Sequence, residues 1–434
     1  MRYFYLLAAL LPAALSAQVA QSSVRPITLS EAIELARRNA PQTIAARNAI
    51  NANEATVRTR LSAFLPTLSG SMSSGWNAGQ VFDSKGDIVN RNNVTPWSWS
   101  RRLSANWVLF DGGDRNFQLR VARANVAAAE ANEVAAEFSI AYSVSQQYYA
   151  ALAARESRAA AVTALAEAEQ NLRAANARVA AGAATRSDSL RAIIAVGNQQ
   201  LAVLSAENDL QNANAALTRL VGVAFTVTAA ETDTVLTPVA ADSAELVQFL
   251  GTSPALRSAQ ASVTAASASV RSTRTDYLPT LSTSYGITNN MSDSSFQIWQ
   301  GRTLQNKSFG LSMSVPIFNG LAREETVQRA KITEMNARAS LRDAELLAQQ
   351  QLVQYVGQLR LAQARIAIQQ ASLVAALEDL RVQQQRYQLG ASTQLELLTT
   401  QTQLNSARFN LVNARYQVRI AKAQLEQLLG REIR

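Results

Sequence analysis

The sequence predicts an internally duplicated α+β membrane protein, in which four β-strands per chain enter an oligomeric barrel and long helices form a coiled coil. First, a glycine between two long helical patterns occurs twice, in 179–190 and in 387–398, at an offset of 208 residues. Second, each half contains a pair of segments whose apolar residues alternate, as they do in strands. Third, beyond the amino terminus there is no window of 18 or more apolar residues, so we expect no helix that crosses a membrane.

The composition argues against most classes of enzyme. The 434 residues contain no Cys and no His, which removes cysteine nucleophiles, histidine general bases and the usual zinc ligands. We therefore expect no enzymatic activity, no cofactor and no metal site. The net charge of +9 comes from Lys and Arg scattered singly beside Asp, Glu and Gln, a pattern typical of solvated helix faces rather than of nucleic-acid binding.

The amino terminus (1–17) predicts a secretory signal peptide. Arg2 supplies the positive start, Tyr3 to Leu15 is the apolar run, and Leu15 to Ala17 fits a cleavage site. An exported chain without a membrane-spanning helix must contact a membrane through strands or through its surface.

The first repeat (18–222) begins with a helix predicted from Ser30 to about Phe64, which Pro66 ends. A strand pair follows in 65–110, with a long loop from Gly75 to Pro96. Its second strand alternates at Leu103, Ala105, Trp107 and Leu109.

A helical hairpin with its tip at Gly182 completes the first repeat. The segment 114–181 has 68 residues, roughly 100 Å if helical throughout, and 183–221 returns over 39 residues. After a linker (223–242), the second repeat (243–430) has the same order: a helix, a strand pair in 278–318 and a hairpin with its tip at Gly390. Residues 431–434 are a short charged tail.

Heptad spacing predicts that the hairpins pack as coiled coils. In the last helix, large apolar residues recur every seven positions. An alanine or a leucine lies three positions after four of the five large residues, and the small alanines allow the helices to approach closely. The large residues are Leu397, Leu404, Leu411, Val418 and Leu425, and the first repeat has Val196, Val203, Leu210 and Leu217 in the same register.

The tryptophans favour a membrane role for the strands. All of them fall in the two strand windows: Trp76, Trp97, Trp99, Trp107 and Trp299. Tryptophan concentrated at one level, together with alternating strands, fits the aromatic belt of an outer-membrane barrel. The alternative is a small antiparallel sheet that caps a coiled coil, with the tryptophans as its core.

A sheet in lipid cannot leave an unpaired edge, and four strands are too few to close into a barrel. The chain is therefore expected to pool its strands with copies of itself. A dimer would supply eight strands and a trimer twelve.

With a signal peptide, duplicated strand pairs, the glycine-bearing turns at 110–113 and 318–320, and glycine-tipped hairpins in this order, the sequence resembles the TolC family of outer-membrane efflux proteins. The resemblance covers essentially the whole mature chain. It implies a homotrimer whose 12-stranded barrel lies in the outer membrane of a Gram-negative-type bacterium and continues as an α-helical barrel through the periplasm.

The resemblance also implies a function. The chain would be the exit duct of a tripartite efflux pump or a type I secretion system, with a periplasmic adaptor protein and an inner-membrane transporter as partners. Substrate choice is expected to lie with the pump, because a wide duct selects little. The alternative is a periplasmic coiled-coil adaptor or scaffold, although such proteins usually have one helical hairpin rather than two.

Residues near the tips acquire candidate roles from the resemblance. Asp188 and Glu396, each six residues past its tip glycine, would face the pore at the closed periplasmic end, and Tyr387 matches a tyrosine of the family's gate. Ser392 stands where the best-known member has an arginine, so the latch is either absent or rebuilt, with Arg186 or Arg386 as candidate substitutes. The expected adaptor-docking tips are Gly182, Ala183, Gly390 and Ala391.

The two tip carboxylates also fit a purely structural role. Thr185 to Asp188 and Thr393 to Glu396 have the spacing of a capping box, in which the acid accepts a hydrogen bond from the amide of the cap residue. Both roles are compatible, since a ring of helix starts at an aperture places their caps near the pore. The tip glycines are predicted to be left-handed helix ends.

Overall fold

The computed structural model describes residues 24–76, 81–82, 84–85, 88–89, 97–230, 243–293 and 304–433. The predicted signal peptide, Trp299 and most of the predicted linker lie outside these residues. The strands are β1 (Arg25–Ile27), β2 (Thr67–Trp76), β3 (Val81–Phe82), β4 (Ile88–Val89), β5 (Trp97–Phe110), β6 (Val227–Ala229), β7 (Thr280–Asp293) and β8 (Leu304–Ser314). The helices are α1 (Leu29–Asn39), α2 (Pro41–Ser62), α3 (Asp114–Ala180), α4 (Arg186–Val221), α5 (Ser243–Leu250), α6 (Pro254–Arg274), α7 (Ala322–Gln388) and α8 (Gln394–Leu429).

The chain divides into two compact units. The first contains the described residues of 1–40, 140–239 and 358–424, and the second those of 41–139, 240–357 and 425–434. The tips of both helical hairpins belong to the first unit, and the largest sheet belongs to the second. Within the described residues, no helix combines the length and the apolar content needed to span a membrane.

The first predicted helix is interrupted in the structure. The prediction of one helix from Ser30 to about Phe64 is wrong, because α1 ends at Asn39 and Ala40 is extended, with φ −66° and ψ 131°. Proline disfavours the helical conformation in the residue that precedes it, and Pro41 imposes this on Ala40. Pro41 then starts α2, a position where its missing N–H costs little.

The first unit has its core where α1, α3 and α4 meet a small parallel sheet of β1 and β6. Ala32 and Ala36 of α1 are fully buried, which lets the helix approach closely, and Leu217 of α4 packs in the same cluster. Tyr148 of α3 is buried, and its hydroxyl donates a 2.8 Å hydrogen bond to the carbonyl of Ala230 beside β6.

The predicted heptad residues form the buried side of α8. All five large positions of that seam are buried, whereas the matching residues of α4 are partly buried apart from Leu217. Near the tip of the second hairpin, Leu380 of α7 packs with Leu397 and Leu404 in one apolar cluster.

In the second unit, the strand pairs of the two repeats join into one antiparallel sheet in the order β2-β5-β7-β8. The register runs from Thr67 opposite Asn106 between β2 and β5, and from Thr280 opposite Ser314 between β7 and β8. A bulge at Leu109 shifts the β5-β7 register, so that Phe110 lies opposite Leu281. The central contact of the sheet is therefore between the two repeats.

A duplicated arginine fixes each strand to the helix that follows it. Arg115 of α3 donates a 2.8 Å hydrogen bond to the carbonyl of Val108 and lies 5.0 Å from the centre of the Phe64 ring. Arg323 of α7, 208 residues later, donates a 2.8 Å bond to the carbonyl of Pro316 and lies 4.8 Å from a tyrosine ring, that of Tyr277. The two arginines thus hold equivalent carbonyls in the two repeats.

The two junctions differ in one partner. The Nε of Arg115 donates to the Asp111 carboxylate at 2.7 Å in a site where both side chains are mostly buried. The residue equivalent to Asp111 in the second repeat is Asn319. The Nε of Arg323 is buried and lacks a hydrogen-bond partner in the described part of the chain.

Candidate functional site

The tips of the two hairpins have the same backbone geometry. Gly182 has φ +71° and Gly390 has φ +75°, the left-handed conformation that glycine adopts without strain. In both turns the backbone N–H of the residue after the glycine donates a 2.8 Å hydrogen bond to a carbonyl of the preceding helix. Ala183 donates to the carbonyl of Arg178, and Ala391 donates to the carbonyl of Arg386. The paired bonds are those of a Schellman helix end, and no side chain crowds either glycine, so the backbone angle alone demands glycine here.

The carboxylate of Asp188 caps the start of α4. It accepts hydrogen bonds from the hydroxyl of Thr185 at 2.8 Å and from the backbone N–H of Thr185 at 3.0 Å. These two bonds hold the pKa of Asp188 below its usual value, and the bond from the Thr185 hydroxyl has the larger effect. Asp188 is therefore ionised and held at the first turn of the helix, where negative charge is favoured.

The second tip repeats this capping arrangement. The carboxylate of Glu396 accepts from the backbone N–H of Thr393, and the N–H of Glu396 donates to the Thr393 hydroxyl, both at 3.3 Å. The side chain of Glu396 is exposed. Both tip acids thus stabilise the start of a helix by capping hydrogen bonds. Their pore-facing role stays a prediction.

An arginine of the first hairpin holds the predicted gate tyrosine of the second. Arg178 of α3 donates a 2.6 Å hydrogen bond from its guanidinium to the carbonyl of Tyr387, and the guanidinium lies 4.4 Å from the centre of the Tyr387 ring. A cation over an aromatic face is attracted by the ring's quadrupole. This contact ties the two tips of one chain together.

Sequence reasoning proposed other arginines for the latch. Of these, Arg386 donates to the carbonyl of Ala391 in its own turn, at 3.3 Å. Arg178 and Arg386 occupy equivalent positions in the repeats, four residues before the tip glycine. Only the side-by-side placement of the hairpins distinguishes them, so the sequence carried no signal that selected Arg178.

Polar atoms without protein partners cluster in the second tip. Gln394 is 3% exposed, and neither its amide oxygen nor its amide nitrogen has a hydrogen-bond partner in the described residues. Three further buried groups also lack a hydrogen-bond partner in the described residues: the Ser392 hydroxyl, the Tyr387 hydroxyl and the Gln383 amide oxygen. Ordered water commonly satisfies such groups. The contact of Tyr387 with Arg178 therefore uses the ring and the backbone rather than the phenol hydroxyl.

A groove of about 340 Å³ lies close to the tips, between the first hairpin and α8. It exposes apolar side chains, Ile194 of α4 and Leu395 of α8, beside the ion pair of Glu167 with Arg408 at 3.3 Å. Among the described residues, no cluster of acidic side chains could hold a metal ion.

The two faces of the four-stranded sheet differ sharply in chemistry. The register places mostly small polar residues on one face, which we call the polar face, and mostly large apolar residues on the other, the apolar face; Val108 and Leu304 are exceptions on the polar face, and Asn289 is one on the apolar face. The polar face includes Ser69, Ser71, Ser73, Ser100, Arg102, Ser104, Asn106, Ser282, Ser284, Thr288, Asn306, Ser308 and Ser312. The apolar face includes Leu68, Met72, Leu103, Trp107, Phe110, Leu281, Tyr285, Ile287, Phe309, Leu311 and Met313.

The tryptophans lie at two levels rather than at the one level predicted. Trp76, Trp97 and Trp99 lie at one end of the sheet, on the same face as Trp107, which lies eight residues beyond Trp99 along β5. The indole N–H of Trp107 donates to the carbonyl of Phe64 at 2.9 Å. Because β5 has 14 residues and runs the full length of the sheet, Trp99 and Trp107 lie near opposite ends of it.

Comparison with known proteins agrees with this architecture. A family model described as outer membrane efflux protein matches residues 32–223 and 246–431, one match in each repeat. Protein CyaE of Bordetella pertussis is 29% identical over 387 residues, covering 88% of this chain and 79% of CyaE. The outer membrane efflux protein BepC of Brucella suis is 24% identical over 420 residues, covering 93% of this chain and 85% of BepC. A crystal structure of CusC, 20% identical, superposes with a TM-score of 0.79 over 94% of both chains, which shows the same fold. The chain therefore belongs to the outer membrane efflux protein family.

Proposed function

We propose that this outer-membrane protein is the passive exit duct of an efflux pump or a type I secretion system and works as a homotrimer. The two-faced sheet carries the proposal. A sheet with one apolar and one polar face fits between lipid and an aqueous lumen. Three copies of the β2-β5-β7-β8 sheet would supply twelve strands.

The edges of the sheet support association with other copies. Within the described residues, β2 and β8 each pair with one neighbour only, so each leaves one row of backbone groups unpaired. Unpaired backbone groups are costly in lipid, and closure with further strands is the arrangement that removes them. Pairing of β8 with β2 of the next copy would complete a barrel.

The hairpin tips would form the aperture at the periplasmic end. Asp188 and Glu396 would ring the opening while they cap their helices, and Tyr387 and Ser392 would line the closed state. The contact between Arg178 and Tyr387 supports closure by an intrachain link, because it keeps the two hairpins of each chain side by side.

The same tips would dock the periplasmic adaptor that connects the duct to an inner-membrane transporter. Gly182, Ala183, Gly390 and Ala391 are exposed and present little side chain, so a partner could approach the backbone closely. The neighbouring groove, with exposed Ile194 and Leu395, would add apolar contact area.

Membrane fractionation and bilayer recording test the duct. We expect the mature chain in the outer-membrane fraction as a detergent-stable trimer that forms conducting channels in planar bilayers. A chain that is fully soluble in periplasmic extracts without detergent would contradict the duct and support the adaptor or scaffold function. Photocrosslinkers at Ala183 and Ala391 should capture an adaptor protein, whereas one at the sheet residue Ser71 should not.

A further inference from the structure

Two basic residues lie on the mainly apolar face of the sheet, which also carries the polar residues Ser74, Thr283, Asn289 and Gln305. Arg101 of β5 is in register with Met72 and Asn289, and Lys307 of β8 is in register with Ile287. Lys307 is exposed and Arg101 is partly exposed. Arg102, the next residue of β5, lies on the polar face, where it is in register with Ser71 and Thr288.

The position of Arg101 along β5 corresponds to a membrane border. Residues 101–110 make up ten residues of the strand, and about 9–11 tilted residues cross the hydrocarbon core of a bilayer. Between these ends, the apolar face of β5 carries Leu103, Ala105 and Trp107. Basic residues on the lipid face of a barrel are strongly unfavourable at the middle of the bilayer and tolerated near its surface. Arg101 therefore lies where the lipid headgroups begin.

The two basic residues are close enough to act on one headgroup or on two adjacent ones. Arg101 and Lys307 are separated by two strand spacings and by two residues along β7. At about 4.8 Å per strand and about 3.4 Å per residue, their Cα atoms are roughly 12 Å apart. Both side chains are long, and a cationic group at the end of each can reach an anion that lies between them.

The membrane border at Arg101 lies toward the end of β5 that does not lead into a helix. The opposite end of β5, at Phe110, leads into α3 through the junction held by Arg115. Since the helices lie in the periplasm under the proposed function, the Arg101 border lies in the outer leaflet.

We propose that Arg101 and Lys307 form a binding site for the phosphate of an anionic lipid headgroup in the outer leaflet. The guanidinium offers paired donors that match phosphate oxygens, and the ammonium adds a point charge. The proposal rests on the proposed function, because it requires the apolar face to contact lipid. Three copies would place three such sites around one barrel.

Lipid selectivity of the full-length trimer tests the proposal. The trimer is reconstituted in mixtures of phosphatidylcholine and phosphatidylglycerol, and brominated versions of each lipid quench its tryptophan fluorescence. The wild type should prefer phosphatidylglycerol. The variant R101A/K307A should lose roughly 30-fold of that preference at low ionic strength, as expected for two basic residues near an anionic surface. The control variant R102A, with a charge removed from the polar face, should keep the wild-type preference.

The outcomes separate this site from the duct itself. An unchanged preference in R101A/K307A, or an equal loss in R102A, would overturn the lipid site. Single-channel recording of the wild type and R101A/K307A checks the duct, and the two should conduct alike. A wild-type protein that neither inserts nor conducts would instead refute the proposed function.

Discussion

The guanidinium of Arg178 lies 4.4 Å from the centre of the Tyr387 ring and donates a 2.6 Å hydrogen bond to the Tyr387 carbonyl. The same carbonyl accepts the N–H of Gly390 at 3.1 Å, so the arginine engages the helix end at which the second hairpin reverses. The acceptors are a neutral carbonyl and a ring rather than a carboxylate. A link of this kind does not depend on the protonation of an acid.

Arg178→Ala should favour the open aperture. Loss of a charged hydrogen bond and a cation–π contact weakens the link by about 2 kcal/mol per chain, enough to shift a closed-to-open equilibrium about 30-fold. The measurement is single-channel conductance and open probability in planar bilayers. Arg386→Ala, at the equivalent position of the other repeat, is the control and should behave like the wild type. Equal conductance of the two variants would rule out Arg178 as a latch.

Tyr387→Phe should leave the closed state nearly unchanged. The Tyr387 hydroxyl is buried without a hydrogen-bond partner in the described residues, while the ring and the carbonyl make the contact with Arg178. Tyr387→Leu removes the ring and should raise the open probability in the same recordings. If the Phe variant opened the channel as much as the Leu variant, the hydroxyl would be the closing group and the cation–π interpretation would be wrong.

Asp188→Ala should lower thermal stability by about 0.3–1 kcal/mol per chain, because the N-cap residue Thr185 loses its acceptor and the first turn of the helix loses a negative charge. The pKa of Asp188 is lowered from its usual value of 3.8 by its bonds to Thr185, so the folded state favours the ionised form. This stabilisation is present above the unfolded pKa and is lost as the pH falls through the lowered pKa. Thermal melts between pH 7 and pH 2 measure the effect. Asp209→Ala, an exposed charge removed from the same helix, should leave the profile unchanged.

Replacing Asp188 and Glu396 together by Ala tests whether the caps also face the pore. Carboxylates that ring an aperture attract cations, so the double variant should lose cation preference in reversal-potential measurements under a salt gradient. Lower thermal stability with unchanged ion selectivity would assign both acids to capping alone.

Asn319→Asp should stabilise the second strand-helix junction. The buried Nε of Arg323 has no partner in the described residues, whereas the equivalent Nε of Arg115 meets the Asp111 carboxylate at 2.7 Å. A carboxylate at 319 would supply the missing acceptor, and a charged hydrogen bond contributes about 1.5–3 kcal/mol. The reciprocal variant Asp111→Asn should lower stability. Thermal unfolding of the trimer in detergent measures both, and a lower melting temperature in Asn319→Asp would show that the asparagine is already optimal.

Much of the fold followed from the repeat in the sequence. The offset that aligned Gly182 with Gly390 also aligned two turns whose φ angles differ by only a few degrees, because the left-handed helix end is a local property. The heptad seam of α8 is buried as the spacing predicted, since a period of seven places those residues on one side of a helix.

Features that depend on which elements become neighbours did not follow from the sequence. Arg178 and Arg386 are indistinguishable in the repeat, and only the packing of one hairpin beside the other brings Arg178 to Tyr387. The bulge at Leu109 and the two levels of tryptophan depend on strand register, which no single strand encodes. The break at Ala40 could have been found, because Pro41 was visible in the sequence.

The central pairing of β5 with β7 joins the two repeats by the kind of contact that β8 would make with β2 of another copy. A chain of half this length, with one strand pair and one hairpin, would need six copies to close the proposed twelve-stranded ring. Covalent fusion of two halves replaces every second intermolecular seam with an intramolecular one, which halves the number of seams that must form between separate chains. It also frees the two halves to diverge, so one ring can carry alternating rather than identical tips.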